Sequence, residues 1–586
     1  QLLLLLLSAA NVNVLTNPTF TDSIAGWTST APGVPMAEGQ EDGKSVAHIT
    51  VPAGAEVGYP ALIQVIDAQP GDLLEARGEA KGVGISGGAG AYMSIDFFNA
   101  DGNRITFSQS GPARPQGQWK DISVDTIVPP GAVRTRLCLL LNGRGDAYFA
   151  NMSLLRTPGV YGAPPEGPVT LTVTDRVACA SLMGFGAEDD GWFYNEENKA
   201  RGVTDEDIAL REERIAWMDP DWIRMFFWYK DWNPSGDWET FEFDSPNMQS
   251  HYRTLDLYQK LGARVNVVGV EWGVKDPYGD PVKAGRAIGA LLEHLVKVKG
   301  YTCVRDWTLT NEPNGYFVAT GYDFRRFREM HEQVKSEIAR RGLPVGIVGS
   351  DDTNGGVNWF EQCVTDPVYF GFTDYYASHR YFQVSERPLT YRFYDEHLGP
   401  LEKADPKKQL VVAEFGFQDG RTEGAMINPV MGEYPYAVWV AAFVIQGLNR
   451  GVSGYSIWCM HQMYYPGGGF MTYGLWEYKD SNWKPRPVYY AWNPLTRFTE
   501  PGDQVRVCES THPNYVSASV AGKTLFWVNQ GDSEAEVHLA GFEAKQVRVM
   551  TEATLSGDRD CGTLVPLEGG TFKAPAMSFG YAREGE

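Results

Sequence analysis

Val304-Arg305-Asp306-Trp307-Thr308-Leu309-Thr310 runs into Asn311-Glu312-Pro313-Asn314. The first seven residues mix β-branched, aromatic and apolar types and read as a strand. Pro313 cannot continue a central strand, so Glu312 is left at the strand's C-terminal end. Leu410-Val411-Val412-Ala413 followed by Glu414-Phe415-Gly416 has the same build. Similar short runs recur at residues 222–227, 265–270, 345–348, 375–379 and 454–458, with a first near 183–186. Uninterrupted apolar runs suit strands of a parallel sheet covered on both faces. Amphipathic helices lie between several of them. Residues 323–341 place Phe327, Met330, Val334 and Ile338 on one face and stop at Gly342, with Pro344 beyond. Residues 284–299 do the same with Ile288, Leu291, Leu292 and Leu295, ending at Gly300. Eight strand–helix steps between residues 178 and 500 predict an α/β fold, a (β/α)8 TIM barrel. A doubly wound sheet is the alternative, but no phosphate fingerprint follows the first strand.

The barrel is flanked by strand-rich sequence on both sides. Residues 11–156 carry short strands (45–51, 91–98, 135–141) between Gly, Pro and Asp turns, which predicts a β-sandwich. Residues 157–168, TPGVYGAPPEGP, read as a stiff linker. Residues 169–177 begin with the alternation VTLTVT and are expected to join a small β-sandwich at 501–586. Residues 1–10, QLLLLLLSAA, are similar to the end of a secretory signal peptide and point to a secreted or periplasmic protein. The run is too short to span a bilayer, so no membrane insertion is expected.

Composition narrows the function. The 586 residues carry a formal charge of −22 and contain no basic run, which disfavours a nucleic-acid partner. Aromatic residues reach 13%, with 17 Trp and 29 Tyr, and aromatic faces stack on sugar rings. The seven cysteines form no C-x-x-C pair, so neither a zinc site nor a redox motif is expected, and Cys508 with Cys561 is left as a candidate pairing.

In a (β/α)8 barrel the reactive groups sit at the C-terminal ends of the strands. Glu312 and Glu414 occupy two such ends. Two carboxylates facing each other are what acetal hydrolysis requires: one protonates the leaving oxygen, the other attacks the anomeric carbon. The Asn311-Glu312-Pro313 and Glu414-Phe415-Gly416 endings resemble those of clan A glycoside hydrolases. That resemblance implies Glu312 as acid/base and Glu414 as nucleophile. It also implies Arg224 beside the nucleophile, lowering its pKa, and His379 with Tyr381 at the end of the sixth strand, the phenol donating to Glu414. Asn311 is implied on the sugar 2-hydroxyl and Trp458 as the platform under the reacting sugar. Trp272, within a set of loop aromatics (Trp192, Phe193, Tyr194, Trp228, Tyr229, Trp232, Tyr316, Tyr464, Tyr465), is a candidate subsite residue.

Arg486-Pro487-Val488-Tyr489-Tyr490 followed by Arg497-Phe498 is similar to families 39, 30 and 51, and the Glu-Phe-Gly form to family 5. Asn17-Pro18-Thr19-Phe20, Gly26-Trp27 and Asp146-Ala147-Tyr148-Phe149 are similar to a family 4 type carbohydrate-binding module. The expectation is a retaining glycosidase acting on a poly- or oligosaccharide without metal or organic cofactor. A transglycosylase on the same residues and a non-catalytic carbohydrate-binding protein are the alternatives. Gly84-Ile85-Ser86-Gly87-Gly88 matches a hydrolase nucleophile elbow, and the overlapping run from Gly82 to Gly87 a dinucleotide fingerprint, but neither has a following helix.

Overall fold

The computed structural model describes residues 13–31, 34–113, 117–159, 164–353, 357–424 and 426–586. The leucine run at 1–10 and its reading as a leader lie outside them. The chain forms two compact units.

The first unit comprises the chain up to residue 163 with Phe382–Thr390 and Gln418–Gly420. Among the described residues of 13–159 there is no helix. An eight-stranded sheet is built on two long antiparallel partners, Leu73–Phe98 and Arg134–Thr157. Inward residues of both strands, among them Ala76, Met93, Ile95, Leu137, Leu139 and Phe149, meet in one buried cluster. The register slips at Val83/Ser86 and Ser86/Gly90, where extra residues are accommodated as bulges. Ser86 thus lies inside a strand, which removes the strand–turn–helix context that both decoy motifs need.

The second unit contains a ring of eight strands and, packed in the same unit, a nine-stranded sheet. The ring strands are β1 (Gly184–Ala187), β2 (Trp222–Trp228), β3 (Arg264–Val270), β4 (Val304–Thr308), β5 (Gly346–Asp352), β6 (Tyr375–Gln383), β7 (Leu410–Gln418) and β8 (Gly454–Ile457). Their order is β1-β8-β7-β6-β5-β4-β3-β2, and a parallel bridge between Glu188 and Arg224 joins the two ends. A helix follows each strand: α1 (Asp205–Met218), α2 (Pro246–Leu261), α3 (Pro281–Glu293), α4 (Phe324–Arg341), α5 (Val357–Thr365), α6 (Tyr391–Lys403), α7 (Tyr434–Arg450) and α8 (Pro487–Arg497).

Helix boundaries follow local chemistry. Asp323 caps α4 by accepting from Arg326 N, and Gly342 ends it in the left-handed region at φ 58°. The buried face of α4 carries Phe327, Met330, Val334 and Ile338. The helix expected over 284–299 starts earlier, because Asp280 supplies a side-chain cap and Pro281 opens the first turn. Its last turn widens to π geometry over His294–Val298. Strand β5 outruns its expected end at 348 because Ser350, Asp351 and Asp352 are all buried with partners.

In the nine-stranded sheet, Val169–Cys179 lies between Val505–Ser510 (antiparallel) and Ala535–Ala540 (parallel). Val169, Leu171 and Val173 pack there with Val516, Trp527 and Val537. Cys508 and Cys561 are not paired: all seven cysteines are free and buried, and Cys561 Sγ rests 3.7 Å from Met550 Sδ.

Candidate active site

Strands β2, β5, β6 and β7, with the residues that follow β1 and β4, deliver one connected polar network. Its centre is Arg224 of β2, which is fully buried. Nη1 donates to Glu414 Oε1 (2.6 Å) and to Glu188 Oε2, while Nη2 donates to Asn311 Oδ1 (2.7 Å) and Asp351 Oδ2 (2.7 Å). A planar guanidinium fork holds several acceptors in fixed directions, which a lysine ammonium does not. Phe226, two residues along β2, places its ring 5.0 Å from the guanidinium carbon.

Glu414 sits within β7 and is 4% exposed. Its second oxygen accepts from Tyr381 Oη at 3.4 Å. Glu312 follows β4 with φ 48°, a left-handed conformation uncommon for a side-chain-bearing residue and often met at functional sites. Its side chain is 20% exposed, against 5% for Glu414. His379 of β6 lies between the carboxyls. Its Nδ1 is 3.4 Å from Glu312 Oε1 and 3.8 Å from Glu414 Oε1, and its Nε2 is 3.0 Å from Asp351 Oδ1. One oxygen of Glu312 and one of Glu414 lie within 4.8 Å of each other.

The electrostatics revise one expectation. Burial dominates Glu414 and outweighs the cations His379 and Arg224, so its pKa is pushed up to about 7 rather than down. Glu188 and Glu312 add to the rise as like charges. For His379, burial alone works against the proton, but Asp351 and Glu414 carry the pKa up to about 10. Asp351, buried yet bonded to both cations, falls to about 2. Glu188 is raised well above the usual carboxylate range by burial, with Asp190 adding to Arg224's failure to compensate. Asp190 is likewise raised, to about 7, chiefly by burial. Tyr465 donates its hydroxyl to Asp190.

The signs fix a pH dependence of stability. Glu414 binds its proton more tightly when folded, so its contribution turns unfavourable as pH rises from 4.5 to about 7. His379 acts in the same direction at higher pH, with stability that is full below 6.5 and lost as pH rises through about 10. If ionised Glu414 is the reacting form, kcat/KM is expected to rise with pH through an apparent pKa near 7. Arg224→Met should move that acidic limb upward by about one unit or more. A limb that stays in place on a pH profile of the variant would remove Arg224 from this role.

Glu312, His379 and Glu414 also present three possible ligand atoms to a cation. The donor set suits one poorly. Arg224 already occupies the Glu414 oxygen at 2.6 Å, and His379 faces carboxylates from both ring nitrogens, the arrangement of an imidazolium.

Of the residues singled out in the sequence, Arg224, Asn311, Glu312, His379, Tyr381 and Glu414 meet in this network. Trp458 joins it through its ring, edge-on to Tyr381 at 6.5 Å and stacked on Tyr473 at 4.7 Å. Trp272 reaches the network through a ring as well: it packs edge-on to Phe226 at 5.5 Å, with Tyr316 on another side, and its carbonyl accepts from Trp228 Nε1. Most of the loop aromatics are packing. Trp192, Phe193, Tyr194, Tyr229 and Trp232 are buried, and Trp192 Nε1 donates to Asp231 at 2.7 Å. Only Tyr316 of that set is clearly exposed, at 39%. The sequence reading missed Glu188 and Asp351. Glu188 follows β1 and Asp351 lies at the end of β5, but both stand in acidic runs that read as solvated loop.

No family model matches the sequence, and a search of the curated proteins returns no match. Solved structures do match. A conserved exported protein from Bacteroides fragilis aligns over 70% of this chain and 99% of its own at 12% identity, TM-score 0.52. SrfJ from Salmonella typhimurium aligns over 85% of this chain and 100% of its own at 14% identity, TM-score 0.52. These likenesses are of fold. A GH39 β-xylosidase from Caulobacter crescentus aligns over 71% of this chain and 99% of its own at 14% identity, TM-score 0.49. Among the described residues no helix is long and apolar enough to cross a membrane.

Proposed function

We propose that the ring of strands is the (β/α)8 barrel of a retaining glycoside hydrolase that cleaves a poly- or oligosaccharide outside the cytoplasm. One observation carries this reading: Glu312, just past β4, and Glu414, within β7, face each other across the ring with oxygens within 4.8 Å. Retaining enzymes hold their two carboxyl groups about 5–5.5 Å apart, whereas inverting ones leave about 6.5–9.5 Å for a water.

Arg224 ties down Glu414 Oε1, so Oε2, with the long Tyr381 contact, is the oxygen placed to attack. In the first step Glu414 Oε2 bonds to the anomeric carbon as the glycosidic C–O bond breaks, and the Glu312 proton passes to the leaving oxygen. Asn311, its carbonyl engaged by Arg224, offers its amide N–H to a sugar hydroxyl. In the second step a water attacks the glycosyl ester, its proton goes to Glu312, and the Glu414 carboxylate is released. Charge supports this assignment. Arg224 and His379 are the cations of the cluster, and the buried carboxylates Asp351 and Glu414 lie against them, as a buried site favours. Esterification removes the Glu414 charge and leaves Glu312 beside His379, which eases its turn as a base.

The test is a panel of plant, fungal and bacterial polysaccharides with aryl glycosides, products resolved by chromatography and the first-formed anomer read by proton NMR. Release of sugar with the starting anomeric configuration is expected, and product size then separates endo from exo action. First-formed inverted sugar would overturn the double displacement.

A further inference from the structure

Away from the carboxyl pair, the second unit contains a cavity of about 870 Å³ that the proposed chemistry does not use. Its walls come from α1, from the first turns of α7 and α8, and from the 552–558 loop of the nine-stranded sheet. Two of its lining residues are buried arginines, Arg214 at 6% and Arg486 at 7% exposure.

Neither guanidinium is matched by close carboxylates. Arg214 gives Nη1 to the Trp483 carbonyl (2.7 Å) and reaches Asp558 only at 3.7 Å. Arg486 gives Nη1 to the Thr472 carbonyl (2.7 Å) and the Gly474 carbonyl (3.4 Å). The Nε of both is buried without a hydrogen-bond partner. Leaving buried charge-bearing donors unmet is costly, so the arrangement is best explained by a partner that arrives from outside.

The contrast with other arginines is direct. Arg211, Arg224 and Arg264 are bonded to carboxylates and hold their protons more tightly than usual. Arg214 and Arg486 are shifted the other way by burial, which Asp558 and Glu477 nearby do not offset. Of the remaining acids on the wall, Glu433 is engaged by Arg421 at 2.7 Å, and Glu552 is exposed. Two helices also direct their positive ends here. Helices α7 and α8 begin at Tyr434 and Pro487, and neither has a side-chain cap on its first turn. Lys484, exposed, lines the same cavity.

We propose that this cavity binds a small oxoanion, a carboxylate or phosphate group held between Arg214 and Arg486. The inference is independent of the glycosidase reading. It is tested by calorimetric titration of the full chain with inorganic phosphate and, separately, with citrate, in wild type, Glu414→Ala, Arg486→Gln and Lys484→Glu. Saturable one-site binding of one probe is expected in wild type and Glu414→Ala, and the better probe tells phosphate from carboxylate. Arg486→Gln and Lys484→Glu should each weaken it about tenfold or more, the worth of one charge-assisted hydrogen bond. Absence of saturable binding by both probes would overturn the proposal. So would loss of binding in Glu414→Ala, which would place the anion in the active site. If circular dichroism shows that Arg486→Gln does not fold, unchanged affinity in Lys484→Glu alone overturns it.

Discussion

Glu414→Ala is expected to lower turnover by about 10⁵- to 10⁶-fold on every substrate, the scale seen when the nucleophile of a covalent mechanism is deleted. The reason is the absence of a substitute. Glu188 is fully buried and locked to Arg224, and Asp351 is held by both Arg224 and His379, so neither carboxylate is free to reach the anomeric carbon. The loss should not depend on the leaving group, because in the proposed double displacement bond formation by Glu414 precedes every product. The variant should still fold, since alanine at this position removes a group whose burial is itself unfavourable above pH 4.5. Steady-state rates on aryl glycosides of graded leaving-group acidity measure this, with the melting temperature as the control. Loss confined to poor leaving groups would assign Glu414 to proton donation instead.

Glu312→Ala should behave differently. A general acid supplies about 10²- to 10⁴-fold, and only where the leaving group needs the proton. Natural glycosides should therefore suffer the full loss. A dinitrophenyl glycoside should form the glycosyl-enzyme at nearly the normal rate and then stall, because no base activates the water. The expected signature is a burst of one phenolate per chain followed by slow turnover. Mass spectrometry of the stalled enzyme should find the added sugar on Glu414. A variant with no burst and equal losses on good and poor leaving groups would show that Glu312 does not act as the acid.

How much of this could be read in advance depended on the kind of residue. Val265 to Val270 or Leu410 to Ala413 announce a covered strand through composition alone. Glu312 and Glu414 could be picked out because each is the acid that follows an apolar run, with Pro313 next to the first and Gly416 two residues past the second. Glu188 and Asp351 were not, since Glu188-Asp189-Asp190 and Ser350-Asp351-Asp352 look like solvated loop sequence. Their burial becomes visible only when Arg224, distant in the chain, is seen to need anionic partners. The direction of the Glu414 shift was hidden for the same reason. A single Arg–Glu pair predicts a stronger acid, whereas full burial, with further carboxyls nearby, gives a weaker one. The loop aromatics misled because composition does not distinguish a ring that faces sugar from one that faces another ring.

The placement of Val169–Cys179 also bears on how the chain can be divided. This strand precedes the ring in sequence, yet both its neighbours, Val505–Ser510 and Ala535–Ala540, follow it. The nine-stranded sheet is therefore a clasp that fastens the two ends of the ring together, rather than a tail hung from one of them. A trimmed chain cut after residue 500 would keep the strand with two unpaired edges, an invitation to intermolecular pairing. Swapping the ring into another protein would have to carry the clasp with it, or remove the strand and its partners at both ends.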